Sequence, residues 1–438
     1  MARLRGSAPT LTACLRERLE EARARTDQLL APVSDADLMK QHNGLMSPLV
    51  WDLGHIGNFE ELWLVQRLRG VRPTNPQYDD MYDAFEHPRR TRASLPLLDR
   101  QQCVDYLAAV RSSALEALRA ADLENGDPLV RDGFVFNMLV QHEYQHNETM
   151  LATLQLMGPP GYRPRIPRRL TGPAPMQEMV IVEAGAFVMG TDDRTVAYDN
   201  ERSAHEVFLP SFWIDTAPVS NAAYSEFIED GGYRRPELYS QAGRDWLASA
   251  RVEAPQFWER HDGGWQVNRF GHLAPLSPNE PVQHVCYYEA EAYARWRGKR
   301  LPTEAEWEKA ASWDPERQSK RLYPWGNELP SPEHANLDQL SFGPMEIGAY
   351  PAGSSWYGCH QMIGDVWEWV ASDFRGYPGF QAWPYREYSE VFFGDEYRML
   401  RGGSWATRPG VIRNTFRNWD YPIRRQIFSG FRCARDAA

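Results

Sequence analysis

Along the first third of the chain, apolar residues recur every three or four positions. Four segments carry this period, about 10–31, 48–69, 102–123 and 132–157. Such a period gathers the apolar side chains on one face of a helix. The second segment opens at Ser47-Pro48, a capping residue followed by proline at the first helical position. The fourth runs out at "MGPPG", where Gly158 and two prolines end it. Four helices of this length predict a bundle, an architecture that places metal and ligand sites between facing helices. The connection from Gly70 to Arg100 is long for a bundle, and loops of that length are typically functional or disordered.

The pattern breaks at "GPPGYRPRIPRRLTGPAPM", residues 158–176, which has neither period and reads as a linker. Beyond it "MVIVEAGAFVMGT" alternates as strands do. Short strands, turn glycines and two short helices then mix without βαβ regularity. This predicts an irregular, loop-rich α+β domain. The expected organisation is a helical bundle over 1–160, a linker over 161–178 and the α+β domain over 179–438.

Composition narrows the class. The 438 residues are 42% hydrophobic and 24% charged, a globular balance with length for a large core. A formal net charge of −11 leaves no broad basic surface for nucleic acid. No apolar run reaches the roughly 18–20 residues of a membrane span. The N-terminus mixes apolar and charged residues at helical spacing, which reads as a mature soluble helix and not a signal peptide. Five scattered cysteines (Cys14, Cys103, Cys286, Cys359, Cys433) predict free thiols in a reducing cytoplasm. No coiled-coil or repeat interface is evident, so a monomer is expected.

The chemistry begins at "QHEYQHNETM", residues 141–150. His142 and His146 are i and i+4, about 40° apart around a helix, which suits two ligands of one metal. With Glu143 they also spell H-E-x-x-H, the zinc-peptidase signature. That pattern requires a third ligand downstream, yet position 149 is Thr, and from Thr149 to Gln177 there is no Asp, Glu or His. Glu148 lies roughly 140° around the helix from the pair, too far to join them. The third ligand is therefore expected from another helix. His55 is the best candidate, in an apolar helix beside Gly54 and Gly57, which would let a helix or ligand approach. The competing reading is a core histidine bonded to a carbonyl. Three neutral imidazoles would leave positions open on an octahedral metal, as Fe(II) oxygen chemistry requires and a closed structural zinc site does not.

Several later stretches resemble the formylglycine-generating-enzyme-like (sulfatase-modifying-factor) domain, a variant of the C-type-lectin fold. "GAFVMG", "PVSNAAYSEFI", "GKRLPTEAEWEKAA", "YPWGN", "GDVWEW" and "RGGSW" follow that family's order over roughly 180–435. Most of these residues read as structural, the tryptophans filling the core and the glycines serving turns. The fold carries several functions, and that family's copper-binding cysteine pair is not evident here. The bundle with "HEYQHNE" resembles a DinB-type domain. A DinB-like four-helix bundle fused to such a lectin-like domain is similar to the iron-dependent sulfoxide synthases of ergothioneine biosynthesis, above all the actinobacterial type that uses γ-glutamylcysteine.

The resemblance implies an oxidoreductase that uses Fe(II) and O2 to join hercynine (Nα-trimethylhistidine) and γ-glutamylcysteine as a sulfoxide. Related synthases that use cysteine supply the alternative thiol donor. It implies iron held by His55, His142 and His146, with Gln145 near the trimethylammonium group. It implies that Arg89 and Arg92 meet the carboxylates of the thiol substrate, which two guanidinium groups can clamp. Asn418 and Trp419 match residues near the betaine carboxylate, and Asp420 one near the amine of the thiol substrate. A tyrosine acts as proton donor in that family. Tyr385 fits best, with Tyr388 beside the substrate and Tyr377 as the alternative.

Overall fold

A computed structural model describes residues 9–124, 126–158, 161–163, 170–172 and 178–437. It divides into two compact units, Met1–Arg163 with Arg194–Val196, and Pro164–Asp193 with Ala197–Ala438. Of the expected 161–178 linker, residues 164–169 and 173–177 lie outside the described residues. No helix among the described residues is long and apolar enough to cross a membrane.

The first unit is helical. α1 (Leu11–Leu30) starts at Thr10, whose hydroxyl accepts from the Ala13 amide, and α2 (Asp35–Met39) starts at Ser34 in the same way. These side chains satisfy amides that have no intrahelical partner. α3 (Leu49–Glu60) runs directly into a π-helical turn, Glu61–Arg67. The cap expected at Ser47 does not form. Pro48 occupies the capping position without a side-chain bond, and the Ser47 hydroxyl accepts from the Arg92 guanidinium instead, at 2.7 Å. The long connection holds α4 (Gln77–Met81) and a 3-10 helix, Arg89–Ser94. α5 (Arg100–Ala120) opens with a reciprocal Asp99–Gln102 cap.

α6 (Phe134–Gln155) follows Gly133, whose φ of 77° is left-handed and comfortable only for glycine. α6 ends three residues before Gly158 and packs on α1 and α3, while α3 also packs on α5. The sequence did not show that Arg194–Val196 belongs with the bundle. The Asn137 and Gln141 side chains of α6 donate to the Thr195 and Val196 carbonyls at 3.1 and 3.0 Å.

The second unit is the expected α+β domain. A four-stranded sheet runs Asn418–Asp420, Gly394–Arg401, Trp367–Phe374, Ser429–Gly430 in spatial order. Its first two junctions are antiparallel and its last parallel. A three-stranded sheet joins Met179–Val182, Phe212–Asp215 and Ala434–Asp436. The pattern predicts two short helices, but four form: α7 (Asn221–Glu229), α8 (Gln241–Ala250), α9 (Tyr287–Trp296) and α10 (Glu304–Ser312). α8 is ten residues long and buries only Gly243 and Trp246. Trp307, Trp369 and Trp405 are fully buried, in keeping with the structural reading of the tryptophans.

Candidate metal centre

The α3 and α6 helices bring His55, His142 and His146 together, with one ligand atom from each within 4.8 Å of the others. The Nε2 atoms of His55 and His142 stand 3.2 Å apart. Two imidazole nitrogens bound to one ion at about 2.1 Å are separated by roughly 3.0–3.4 Å, so the spacing fits a shared metal. Burial, and then the neighbouring imidazoles, hold the pKa values of His55 and His142 well below the ordinary value. Both rings are therefore neutral at pH 7, the form in which histidine binds metal.

The outer nitrogens are fixed from behind. His55 Nδ1 lies 2.8 Å from the Tyr82 carbonyl, and His146 Nδ1 lies 3.0 Å from an Asp52 carboxylate oxygen. Each contact places the proton on Nδ1 and leaves Nε2 as the metal-facing acceptor. Phe59 stacks on His142 with centroids 4.0 Å apart, and Trp51 stacks on His55 at 4.8 Å. Sequence reasoning missed these four supports. A signal existed for Asp52, which precedes His55 by three residues and so shares its helix face. The glycines beside His55 admit aromatic rings, and at Gly57 the ring is Tyr106 of α5, so a helix does approach there. A Cβ at Gly54 would lie 2.0 Å from the Tyr82 ring, and one at Gly57 would lie 3.0 Å from Tyr106.

Glu143 cannot serve as a peptidase base. It is buried and accepts from Arg23 Nε at 2.9 Å, from the Thr26 hydroxyl at 2.8 Å and from Arg111 at 3.2 Å. Burial alone would raise its pKa, but the two guanidinium groups outweigh that and lower it. Glu148 is absent from the histidine cluster, as its angle on the helix requires. Gln145 is half-buried one residue before His146, its amide donating to the Gln141 carbonyl at 3.3 Å.

Arg89 and Arg92 of the long connection differ. Arg92 is buried, and its guanidinium donates to the His87 carbonyl at 2.8 Å, the Ser47 hydroxyl at 2.7 Å and the Ala84 carbonyl at 3.0 Å. Three of about five N–H groups are thus committed within the fold, where the resemblance implies a guanidinium open to substrate. Arg89 is less buried and donates to the Leu45 carbonyl at 3.2 Å.

In the second unit, Tyr385, Tyr388 and Trp419 form one aromatic cluster. Tyr388 stacks on Tyr198 at 4.0 Å and meets Tyr385 and Trp419 edge-on at 6.2 and 5.7 Å. Asp199 anchors this loop, accepting from the Ser389 hydroxyl at 2.5 Å and the Trp383 amide at 3.1 Å. Trp419 also stacks on Phe374 at 4.0 Å. Asn418 accepts from the Trp419 amide at 2.9 Å, and Asp420 accepts from Arg424 at 3.1 Å. Tyr377 stands apart from the cluster. It is a core residue packed with Phe187, Met189 and Trp313. Its hydroxyl lies 3.4 Å from Glu304, and the Arg417 guanidinium lies 4.1 Å over its ring. Core packing therefore sets Tyr377 apart from Tyr385 and Tyr388.

Comparison with known proteins covers both units. A DinB superfamily model matches residues 18–150, and a sulfatase-modifying factor enzyme 1-like domain model matches residues 167–437. The hercynine oxygenase of Mycolicibacterium smegmatis is 49% identical over 431 residues, spanning 96% of this chain and 98% of that protein. The hercynine oxygenase of Mycobacterium tuberculosis is 48% identical over 438 residues, spanning 98% and 100%. The formylglycine-generating enzyme of Bos taurus is 30% identical over 298 residues, spanning 60% of this chain and 76% of that protein.

Proposed function

The chain belongs to the hercynine oxygenase family, and from that premise we propose that it is a sulfoxide synthase of ergothioneine biosynthesis, with Fe(II) held by His55, His142 and His146. Its substrates are hercynine, γ-glutamylcysteine and O2. A C–S bond forms at the imidazole carbon between the two nitrogens. One oxygen atom of O2 goes to sulfur, and the other leaves as water with the hydrogens lost from that carbon and the thiol. The observation that carries this reading is the convergence of three imidazoles within 4.8 Å, two of them fixed through Nδ1.

Ferrous iron at these histidines would supply the O2-dependent redox chemistry, which no side chain offers. The chain's own residues bind and orient. Gln145 lies beside the trimethylammonium group of the betaine, and Asn418 and Trp419 hold its carboxylate. Arg89, with the N–H groups that Arg92 has left, pairs with the carboxylates of the thiol substrate, and Asp420 pairs with its amine. Tyr385, with Tyr388 beside the substrate, donates the proton. Burial pushes the Tyr385 phenol well above its ordinary pKa, so it is protonated at neutral pH and able to donate. The five free cysteines, four of them buried, fit the reducing cytoplasm.

The test is O2 uptake by the anaerobically iron-loaded protein. Uptake is expected only with hercynine and thiol together, one O2 per sulfoxide formed by mass. No uptake with both substrates present would overturn the reading. Running γ-glutamylcysteine against cysteine at equal concentration decides the thiol donor, and a higher kcat/KM with cysteine would reassign it.

A further inference from the structure

Behind His55 lies a cation, the Arg92 guanidinium, one aromatic ring removed from the imidazole. The Arg92 guanidinium sits 3.5 Å over the Trp51 ring, and Trp51 stacks on the His55 imidazole at 4.8 Å with an interplanar angle of 12°. Trp51 is itself 1% exposed and donates its indole N–H to the Met81 carbonyl at 3.2 Å. Arg92 is fastened on its other edges by Ser47, at the entry to α3, and by the Ala84 and His87 carbonyls of the long connection. A planar guanidinium both stacks on an aromatic face and donates at its edges, which a lysine ammonium cannot do. One side chain therefore ties residues 84–92 to the start of the helix that carries His55, and presses on the ring against which His55 lies.

We propose that Arg92 is a positioning residue of the metal centre, fixing the plane of the His55 imidazole through Trp51, whatever its remaining N–H groups bind. The inference rests on reading the three histidines as metal ligands. Burial lowers the Arg92 pKa to about 10, so the group is still a cation at neutral pH. The sign of the expected effect follows from that charge. A nearby cation repels a divalent metal, so an Arg92 that only neighbours the site, or only binds substrate, would on removal leave metal affinity unchanged or raise it. An Arg92 that positions His55 would on removal lower it.

The experiment titrates the full-length metal-free protein with Fe(II) under anaerobic conditions, and separately with Co(II), with neither substrate present. Arg92→Ala is expected to bind both metals about 10-fold or more weakly, the range seen when outer partners of metal ligands are lost. It is also expected to shift the Co(II) absorption bands, since these report ligand orientation. Arg92→Lys keeps the charge but not the planar face, and is expected to recover less than half of the lost affinity on a logarithmic scale. Trp51→Phe keeps an aromatic ring in place, and is expected to lose affinity to a smaller extent than Arg92→Ala. It decides the matter if Arg92→Ala does not fold. Affinities within twofold of the unsubstituted protein, with unchanged Co(II) bands, would overturn the inference. Failure of the unsubstituted protein to bind either metal would instead overturn the ligand reading beneath it.

Discussion

His55 and His142 are neutral because the fold denies water to an imidazolium, and this has a consequence for stability. In the unfolded chain each takes up its proton near the ordinary pKa of about 6.5. In the folded chain uptake waits for a lower pH, because burial and the neighbouring imidazoles disfavour the charged ring. As pH falls through 6.5 the unfolded state therefore binds more protons, and the metal-free protein loses stability; above 6.5 the two rings add no pH dependence. The slope approaches about 1.4 kcal/mol per pH unit for each ring. Urea unfolding of the metal-free protein between pH 7.5 and 5 measures it. His142→Gln removes one titrating ring and should flatten the slope by roughly that amount. An equal slope in the variant would mean that the fold does not lower the His142 pKa. At this scale the sequence was informative about His142 and His146 sharing one helix face, because i and i+4 spacing is geometry in one dimension. It was silent about Tyr82, whose carbonyl contacts His55 across 27 residues of chain.

At the scale of the element, α6 must present two histidines to α3 without rotating. Glu143, next to His142, does that from the opposite side. It joins Glu60 of α3, Arg23 of α1 and Arg111 of α5 in a buried network: Arg23 bonds Glu60 and Glu143 at 2.9 Å each, and Arg111 bonds Glu60 at 2.6 Å. Four helices are thus keyed to one another beside His142. Glu143→Gln leaves two guanidinium groups sharing Glu60 alone, and is expected to cost about 2–3 kcal/mol of unfolding free energy. The expected change in metal affinity is under twofold. A peptidase base would behave in the opposite way, with the variant stable and catalysis lost. Urea unfolding alongside metal titration separates the two, and a stable variant would remove the keying role. The helices were legible in the sequence because their apolar periods are long, and their ends lie within three residues of the expected ones. The π turn after α3 was not, since it follows from tertiary bonds. The Glu61 carboxylate accepts from the Thr74 amide and from the Tyr106 hydroxyl, at 2.8 and 2.7 Å.

Each unit is held together internally by buried guanidinium–carboxylate pairs, arranged differently. The first keys its helices with one charged network, while the second places guanidinium groups in its core. Arg401 pairs with Glu304 and Glu308, Arg417 with Glu304, and Arg432 with Glu368, all buried. The motifs "GKRLPTEAEWEKAA" and "RGGSW" supply Glu304, Glu308 and Arg401, but nothing in their letters says that these charges are paired and buried. Only the fold shows that α10 and the sheet neutralise one another, so the order of motifs identified the domain while its charge pairing stayed hidden. The histidines lie wholly in the first unit. A metal that binds only the folded first unit stabilises it by about 2.7 kcal/mol at a hundred times its dissociation constant. Clustering of contacts into two units predicts that this gain stays local. Hydrogen exchange with and without Co(II) should therefore slow the amides of α3 and α6 about 100-fold where exchange requires unfolding of the unit. The central strand Trp367–Phe374 should change by less than threefold. Equal protection of that strand would show that the chain opens as one cooperative body. In that case the charged core of the second unit would contribute to the energy that holds the histidines in place, although it contains none of them.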